Sequence, residues 1–254
     1  MKKTTALLLF ISIQFSICST LFAQQFKALL VTKTSGWHHE SINDGVAAIR
    51  ALAARNFFDV QWHQDGTAIT DKYLETFQVI IFLNTTGDIF KEEEQKAIEH
   101  FIQSGKGFVG IHSAGDTEYD WPWYTKMVGR MFHIHPSIQT AKLRFTNNKF
   151  PGLNDFTDSQ WWTDEWYQFD TETTTGLNYI LAVDESSYNP KVEWTDKNIK
   201  GKGMGSFHPI SWYHDYDGGR AFYTALGHMP AVYSEPAFLN HIYAGILWAA
   251  TGKK

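Results

Sequence analysis

Gly107-Phe108-Val109-Gly110-Ile111-His112-Ser113-Ala114-Gly115 is the stretch whose reading decides the fold. A short, fully apolar strand runs into a tight turn of small residues. In open α/β sheets such a turn holds a nucleophile up at the carboxyl end of a central strand. The apex here is His112, with Ser113 beside it. The junction has the form of a nucleophile elbow, but a histidine stands where cysteine or serine is usual.

Outward from this strand the pattern is that of a parallel sheet. Phe26–Thr32, Phe57–Trp62 and Phe77–Leu83 read as strands. The third is apolar but for Gln78, as strands covered on both faces tend to be. Between them, Ile42–Arg55 carries Val46, Ile49 and Leu52 at helical spacing, and Phe90–Ser104 carries Ile98, Phe101 and Ile102. Gly105 is a natural helix stop. The order β-α-β-β-α-β predicts an α/β fold: a flavodoxin-like, doubly wound, mostly parallel sheet with helices on both faces. Beyond residue 130 a mixed β insertion is expected in the C-terminal half. Gln139–Phe145, Tyr179–Val183, Met204–Tyr213 and Arg220–Leu226 read as strands, and Lys191–Lys202 as a surface hairpin or loop. Asp217-Gly218-Gly219 marks the turn between the last two strands. Pro236–Ala250 closes the chain as a helix with proline in its first turn.

Residues 1–23 read as a secretory signal peptide: Lys2 and Lys3, an apolar run over Ala6–Ile17, then Ala23 at the cleavage point. The remainder, 24–254, is read as a single domain; about 230 residues suffice for one α/β core. Cys18 offers a lipoprotein alternative, but Ile17 is not the small residue a lipobox needs. The expectation is export to the periplasm. Cys18 is the only cysteine, so the processed chain would have no disulfide and no thiolate nucleophile. Processing would move the net charge from −5 to −7, because Lys2 and Lys3 leave. An acidic surface without a basic run argues against nucleic acid as a partner. No second apolar stretch is long enough to span a bilayer. There is no nucleotide-cofactor motif, and no signal for a particular oligomeric state.

Histidine and acid clusters carry the candidate chemistry. Trp37-His38-His39-Glu40 follows the first strand, at the sheet edge where open α/β folds place ligand contacts. His112 is a candidate base or metal ligand, and Ser113 a weaker candidate because it is displaced from the apex. His133 and His135, two apart, would share one face of a strand. Asp164-Glu165-Trp166-Tyr167 sets acids among aromatic rings, an arrangement suited to sugar hydroxyls and C–H faces, and apolar surroundings raise a carboxyl pKa. Tyr213 and His214 precede the turn, and Gly227-His228 ends the last strand. Arg220, His63, His100 and His241 read as structural.

The segments GFVGIHSAGDT (107–117), TDEWYQF (163–169), PISWYHDYDGGRAFYTALGH (209–228) and EPAFLNHIYAGILWA (235–249) closely resemble the ThuA-like (trehalose-utilisation) family of the class I glutamine amidotransferase-like superfamily. The resemblance spans about Phe26 to Gly252. It implies the flavodoxin-like sheet and a link to sugar metabolism, and marks His38, His39, His112, His135, Glu165, Tyr167, His214 and His228 as matching pocket positions. Amidotransferases use a cysteine where this chain has His112, which excludes glutamine hydrolysis through a thioester.

The expected function is therefore an exported enzyme acting on a carbohydrate, a 3-keto-glycoside, by acid–base chemistry. Expected catalytic residues are His112, Glu165, His228 and His135. Expected substrate contacts are His38, His39, Ser113, Trp166, Tyr167, Tyr213 and His214. The cofactor candidate is a divalent metal on His112, His135 and His228. The alternatives are a non-catalytic sugar-binding protein and a metal-dependent hydrolase.

Overall fold

The computed structural model of the protein describes residues 24–63, 66–146 and 149–253. The expected signal peptide, with Cys18, lies outside the described residues. The elements run β1 (Lys27–Val31), α1 (Ile42–Asn56), β2 (Asp59–Trp62), α2 (Asp71–Leu74), β3 (Val79–Leu83), α3 (Glu92–Gln103), β4 (Gly107–Ile111) and α4 (Pro122–Val128). There follow β5 (Phe132–Ile134), β6 (Gln139–Phe145), β7 (Trp161–Asp164), β8 (Gln168–Phe169), β9 (Asn178–Asp184), β10 (Val192–Trp194), β11 (Ile199–Gly201), β12 (His208–Tyr216), β13 (Gly219–Thr224) and α5 (Pro236–Thr251).

Nine strands form one sheet in the order β2-β1-β3-β4-β13-β12-β9-β6-β7. The first five are mutually parallel and have the doubly wound order 2-1-3-4-5, with β13 as the fifth strand. The other four continue the sheet as an antiparallel wing. The sequence therefore reaches its last parallel strand only after the whole wing has been laid down. β3 and β4 are buried along their full length, as their apolar composition requires. Phe82 of β3 is packed among Phe90, Phe108 and Tyr124, a burial worth about 1.5–3 kcal/mol for such a side chain. α1 packs against α5, and α2 against α3, so both faces of the parallel half are covered. α5 lies very close on β4: a Cβ on Gly107 would sit 2.2 Å from the Ala249 carbonyl oxygen. Arg220 has the structural role expected of it, donating to the Ala249 and Gly105 carbonyls at 2.9 Å each.

Strand limits differ from the sequence reading in three places. The strand expected from Met204 begins only at His208, because the Glu185 carboxylate accepts the N–H groups of Met204 and Gly205 and folds that segment into a loop. β5 ends at Ile134, so His133 and His135 do not share a strand face. His133 turns outward to Asp170 at 3.2 Å, while His135 starts the next turn. The acidic-aromatic run after Trp161 is two short strands, β7 and β8, in different sheets.

The wing curls. β7 is four strands removed from β13, about 19 Å along a flat sheet at about 4.8 Å per strand. Yet Asp164, the last residue of β7, accepts the N–H of Gly227 just beyond β13 at 2.9 Å. Register shifts between β12 and β9 at Pro209, Ser211 and Trp212 supply local bends, as bulges do. The curl folds the edge of the sheet over the carboxyl ends of the parallel strands.

Candidate functional site

Three parallel strands and one antiparallel strand deliver the site. His39 comes from the loop after β1, His112 follows β4 directly, His228 follows β13, and Glu165 follows β7. His112 has φ of +52°, a left-handed backbone that side chains with a Cβ rarely take. The elbow read from the sequence is thus present with a histidine at its apex. Its strained backbone is held by Tyr223, whose hydroxyl donates to the His112 carbonyl at 2.7 Å. Asp164, fully buried, fixes the other side. Its carboxylate accepts four backbone N–H groups: Gly227 at 2.9 Å, Glu165 at 3.0 Å, His228 at 3.1 Å and Met229 at 3.3 Å. One side chain thereby positions both Glu165 and His228.

Glu165 is the hub. Its Oε2 lies 3.1 Å from His228 Nδ1 and 3.4 Å from His112 Nε2, and its Oε1 lies 3.1 Å from His135 Nδ1. His112 Nε2 and His228 Nδ1 are 3.3 Å apart. His39 packs edge-on against both rings, with centroids at 4.9 and 5.3 Å. Burial pushes the Glu165 carboxyl up, but hydrogen bonds to His112 and His228 and the surrounding imidazoles outweigh it and hold the group well below the usual carboxylate range. Burial, reinforced by His112 and His228, drives His39 down to about 2. Burial also lowers His135, against the pull of Glu165. His228 goes the other way: burial lowers it, and the Glu165 hydrogen bond and charge raise it further.

These groups form one wall of a cavity of about 600 Å³. His39, His135, Glu165 and His228 reach it directly. The facing walls are aromatic and polar: Trp37, Phe132, Tyr167 and Trp194, then Asp116, Asp196 and Lys197. Tyr167 lies against the His112 ring at 4.4 Å and Phe132 at 4.3 Å, and Trp194 stands edge-on to His135 at 5.0 Å. Trp37 is 72% exposed at the rim. Burial raises the Asp116 pKa, against a 2.8 Å hydrogen bond from the Tyr119 hydroxyl.

Of the residues expected from the sequence, His39, His112, His135, Glu165, Tyr167 and His228 converge. The others do not. His38 is exposed and turned to the Thr34 hydroxyl at 3.3 Å. Ser113 is buried behind His39, 3.3 Å from its Nδ1, and does not reach the cavity. Trp166 is a core residue whose indole N–H is taken by the Gln139 carbonyl at 2.8 Å. Tyr213 packs into the core against Phe150 and Trp248. His214 is held by the Met127 carbonyl at 2.8 Å. Tyr213 and His214 lie on β12, within the wing rather than at the parallel strand ends. The metal triad of His112, His135 and His228 is also corrected. The ligand atoms that cluster within 4.8 Å of one another belong to His39, His112, Glu165 and His228. His135 contacts the opposite oxygen of Glu165. Asp116, Phe132, Trp194, Asp196 and Lys197 were not singled out by sequence. Asp116 alone had a signal, lying four residues past the elbow apex.

The family described as ThuA, trehalose utilisation, matches residues 27–249. Among curated proteins there is no match. Two solved structures of ThuA-like proteins are similar, each at 18% identity. One, from Bacteroides uniformis, covers 90% of this chain and 93% of its own, with TM-score 0.70. The other, from Parabacteroides merdae, covers 90% and 91%, with TM-score 0.66. A β-galactosidase from Bacillus circulans sp. alkalophilus shares the fold over 87% of this chain and 30% of that one, at 15% identity and TM-score 0.55. With its family match spanning the sheet from β1 to α5, the chain belongs to the ThuA family.

Proposed function

We propose that the protein is an exported carbohydrate-processing enzyme that cleaves 3-keto-glycosides by elimination. The observation that carries this reading is the Glu165–His135 pair on the cavity wall. His135 Nδ1 lies 2.8 Å from the Pro136 carbonyl and 3.1 Å from Glu165 Oε1, both acceptors. The proton therefore sits on Nδ1, and Nε2 keeps the lone pair. A carboxylate behind an imidazole fixes its tautomer and stabilises the imidazolium once it forms. That is the equipment of a general base.

A keto group at C3 of a sugar acidifies the C2–H. His135 takes that proton, the electron pair becomes the C1=C2 bond, and the C1–O bond breaks. The departing oxygen takes a proton from Asp116, whose raised pKa suits an acid. No water is consumed and no oxidant is needed. His228, which lines the cavity, stabilises the enolate oxygen. Aromatic walls suit the C–H faces of a sugar ring, and the family description, trehalose utilisation, points to the same substrate class. Export is supported by the leader-like residues 1–23.

A p-nitrophenyl 3-keto-β-glucoside tests the reading. Purified protein should release p-nitrophenol and the unsaturated keto sugar, and His135→Ala should lower kcat by about 10²–10⁴-fold. A panel of keto-glycosides left intact by the wild type would overturn it. Tight sugar binding without product would favour a binding protein instead.

A further inference from the structure

We infer that His39, His112, His228 and Glu165 form a binding site for a divalent first-row transition metal. Three contacts set the geometry: His112 Nε2 to His228 Nδ1 at 3.3 Å, His112 Nε2 to Glu165 Oε2 at 3.4 Å, and His228 Nδ1 to Glu165 Oε2 at 3.1 Å. A tetrahedron around zinc with bonds of about 2.0–2.1 Å has edges of about 3.3–3.4 Å. The three atoms already stand at that spacing, and an atom of His39 joins them within 4.8 Å.

The outer contacts match a ligand set. His112 Nδ1 lies 2.7 Å from the Ala225 carbonyl, an acceptor, so a proton held there frees Nε2 to give its lone pair to a bound ion. Metal-bound imidazoles are held in this way by a backbone carbonyl or carboxylate on the other nitrogen. Ser113 lies against His39 Nδ1 at 3.3 Å. This gives the buried serine a part that neither nucleophile nor sugar contact supplied. His112 and Glu165 directly follow β4 and β7, His228 lies just past β13, and His39 lies in the loop between β1 and α1.

Donor chemistry selects the ion. Three imidazoles and one carboxylate suit zinc, cobalt, manganese or iron, and do not suit calcium or magnesium, which take mainly oxygen ligands. His39, Glu165 and His228 face the cavity, so a bound ion has an open side toward substrate. Resting on the elimination proposed above, that position serves the carbonyl oxygen that becomes the enolate, as a Lewis acid.

The test uses the metal alone. Chelator-treated protein is titrated with cobalt(II), reading visible d–d absorption and thermal midpoint, then competed with zinc. One equivalent per chain should bind and raise the midpoint. Glu165→Gln and His112→Asn should each abolish the cobalt band, Ser113→Ala should weaken binding by about tenfold, and exposed His38→Ala should bind as wild type. Folding of each variant is checked by far-UV circular dichroism, and a second ligand variant, His228→Asn, covers any that fails to fold. Absence of saturable binding by the folded wild type overturns the site, as does a full cobalt band in folded Glu165→Gln and His228→Asn. Stoichiometric metal without keto-glycoside cleavage leaves the metal site standing and removes the elimination. Cleavage by fully stripped protein leaves the elimination standing and overturns the Lewis-acid role of the ion.

Discussion

Asp164→Asn is the most informative single change to the scaffold. The wild-type carboxylate accepts four N–H groups on two oxygens: Gly227 on Oδ2, and Glu165, His228 and Met229 on Oδ1. An amide has one accepting oxygen. With Oδ1 kept toward the three donors, the NH₂ group meets the Gly227 N–H donor to donor. Losing one hydrogen bond to a charged group costs about 1.5–3 kcal/mol, and the remaining three lose their charge assistance at a few tenths each. Some of this is offset, because burial pushes the Asp164 carboxyl up and the variant no longer buries a charge. The net expectation is about 2–4 kcal/mol, which for a domain of this size lowers Tm by roughly 5–15 °C. Urea and thermal unfolding followed by far-UV circular dichroism measure it. Cobalt binding should weaken in the same variant, since Asp164 sets the backbone of both Glu165 and His228. A variant within about 0.5 kcal/mol of wild type, with unchanged metal affinity, would refute the idea that this carboxylate ties the wing to the parallel strands.

Other consequences can be checked more simply. His241 is buried, its Nε2 bonds the Ser211 hydroxyl at 2.9 Å, and its Nδ1 has no hydrogen-bond partner among the described residues. Burial holds its pKa at about 3, against 6.5 in the unfolded chain. Between those values the unfolded state binds more protons, so this residue's effect favours folding fully above pH 6.5 and erodes as pH falls, by about 1.4 kcal/mol per unit. His241→Gln keeps the donor without titrating, and should move the acid-unfolding midpoint to lower pH; a midpoint that stays put counts against it. Gly107→Ala places a methyl group 2.2 Å from the Ala249 carbonyl oxygen, so α5 must lift from β4, and a loss of about 1–3 kcal/mol or more is expected in urea melts. Glu165→Gln should abolish keto-glycoside cleavage in protein that is folded by far-UV circular dichroism; near-normal turnover would remove Glu165 from the chemistry.

The parallel half was legible because its signals are local. The apolar runs of β1, β3 and β4, the helical spacing of α1 and α3, and the small-residue turn after Ile111 each report on their own surroundings. Six site residues were legible for the same reason, since strand ends in such a sheet are where ligands gather. What sequence hid depends on the wing. Trp166 and Tyr167 are adjacent and both aromatic, but only the curl decides that Tyr167 lines the cavity while Trp166 enters the core. His135 rather than His133 faces inward because β5 stops at Ile134, a matter of one residue. Asp164 read only as one of two acids among aromatic rings; its grip on Gly227 joins residues sixty-three positions apart, and no spacing rule announces it. Tyr213 and His214 were expected to touch substrate, but they lie on β12 beside the hairpin turn that starts β13, at the end of the sheet away from the carboxyl ends of the parallel strands.

The curl of the antiparallel wing has a consequence for how the site is held together. The imidazoles after β1, β4 and β13 ride on the parallel half, and the carboxylate that meets them after β7 rides on the curved half, so the cluster is a clasp that shuts only when the sheet bends. The irregular pairing near Ser211 lies far along the sheet from Glu165. Straightening that pairing would part the clasp without altering any group in it.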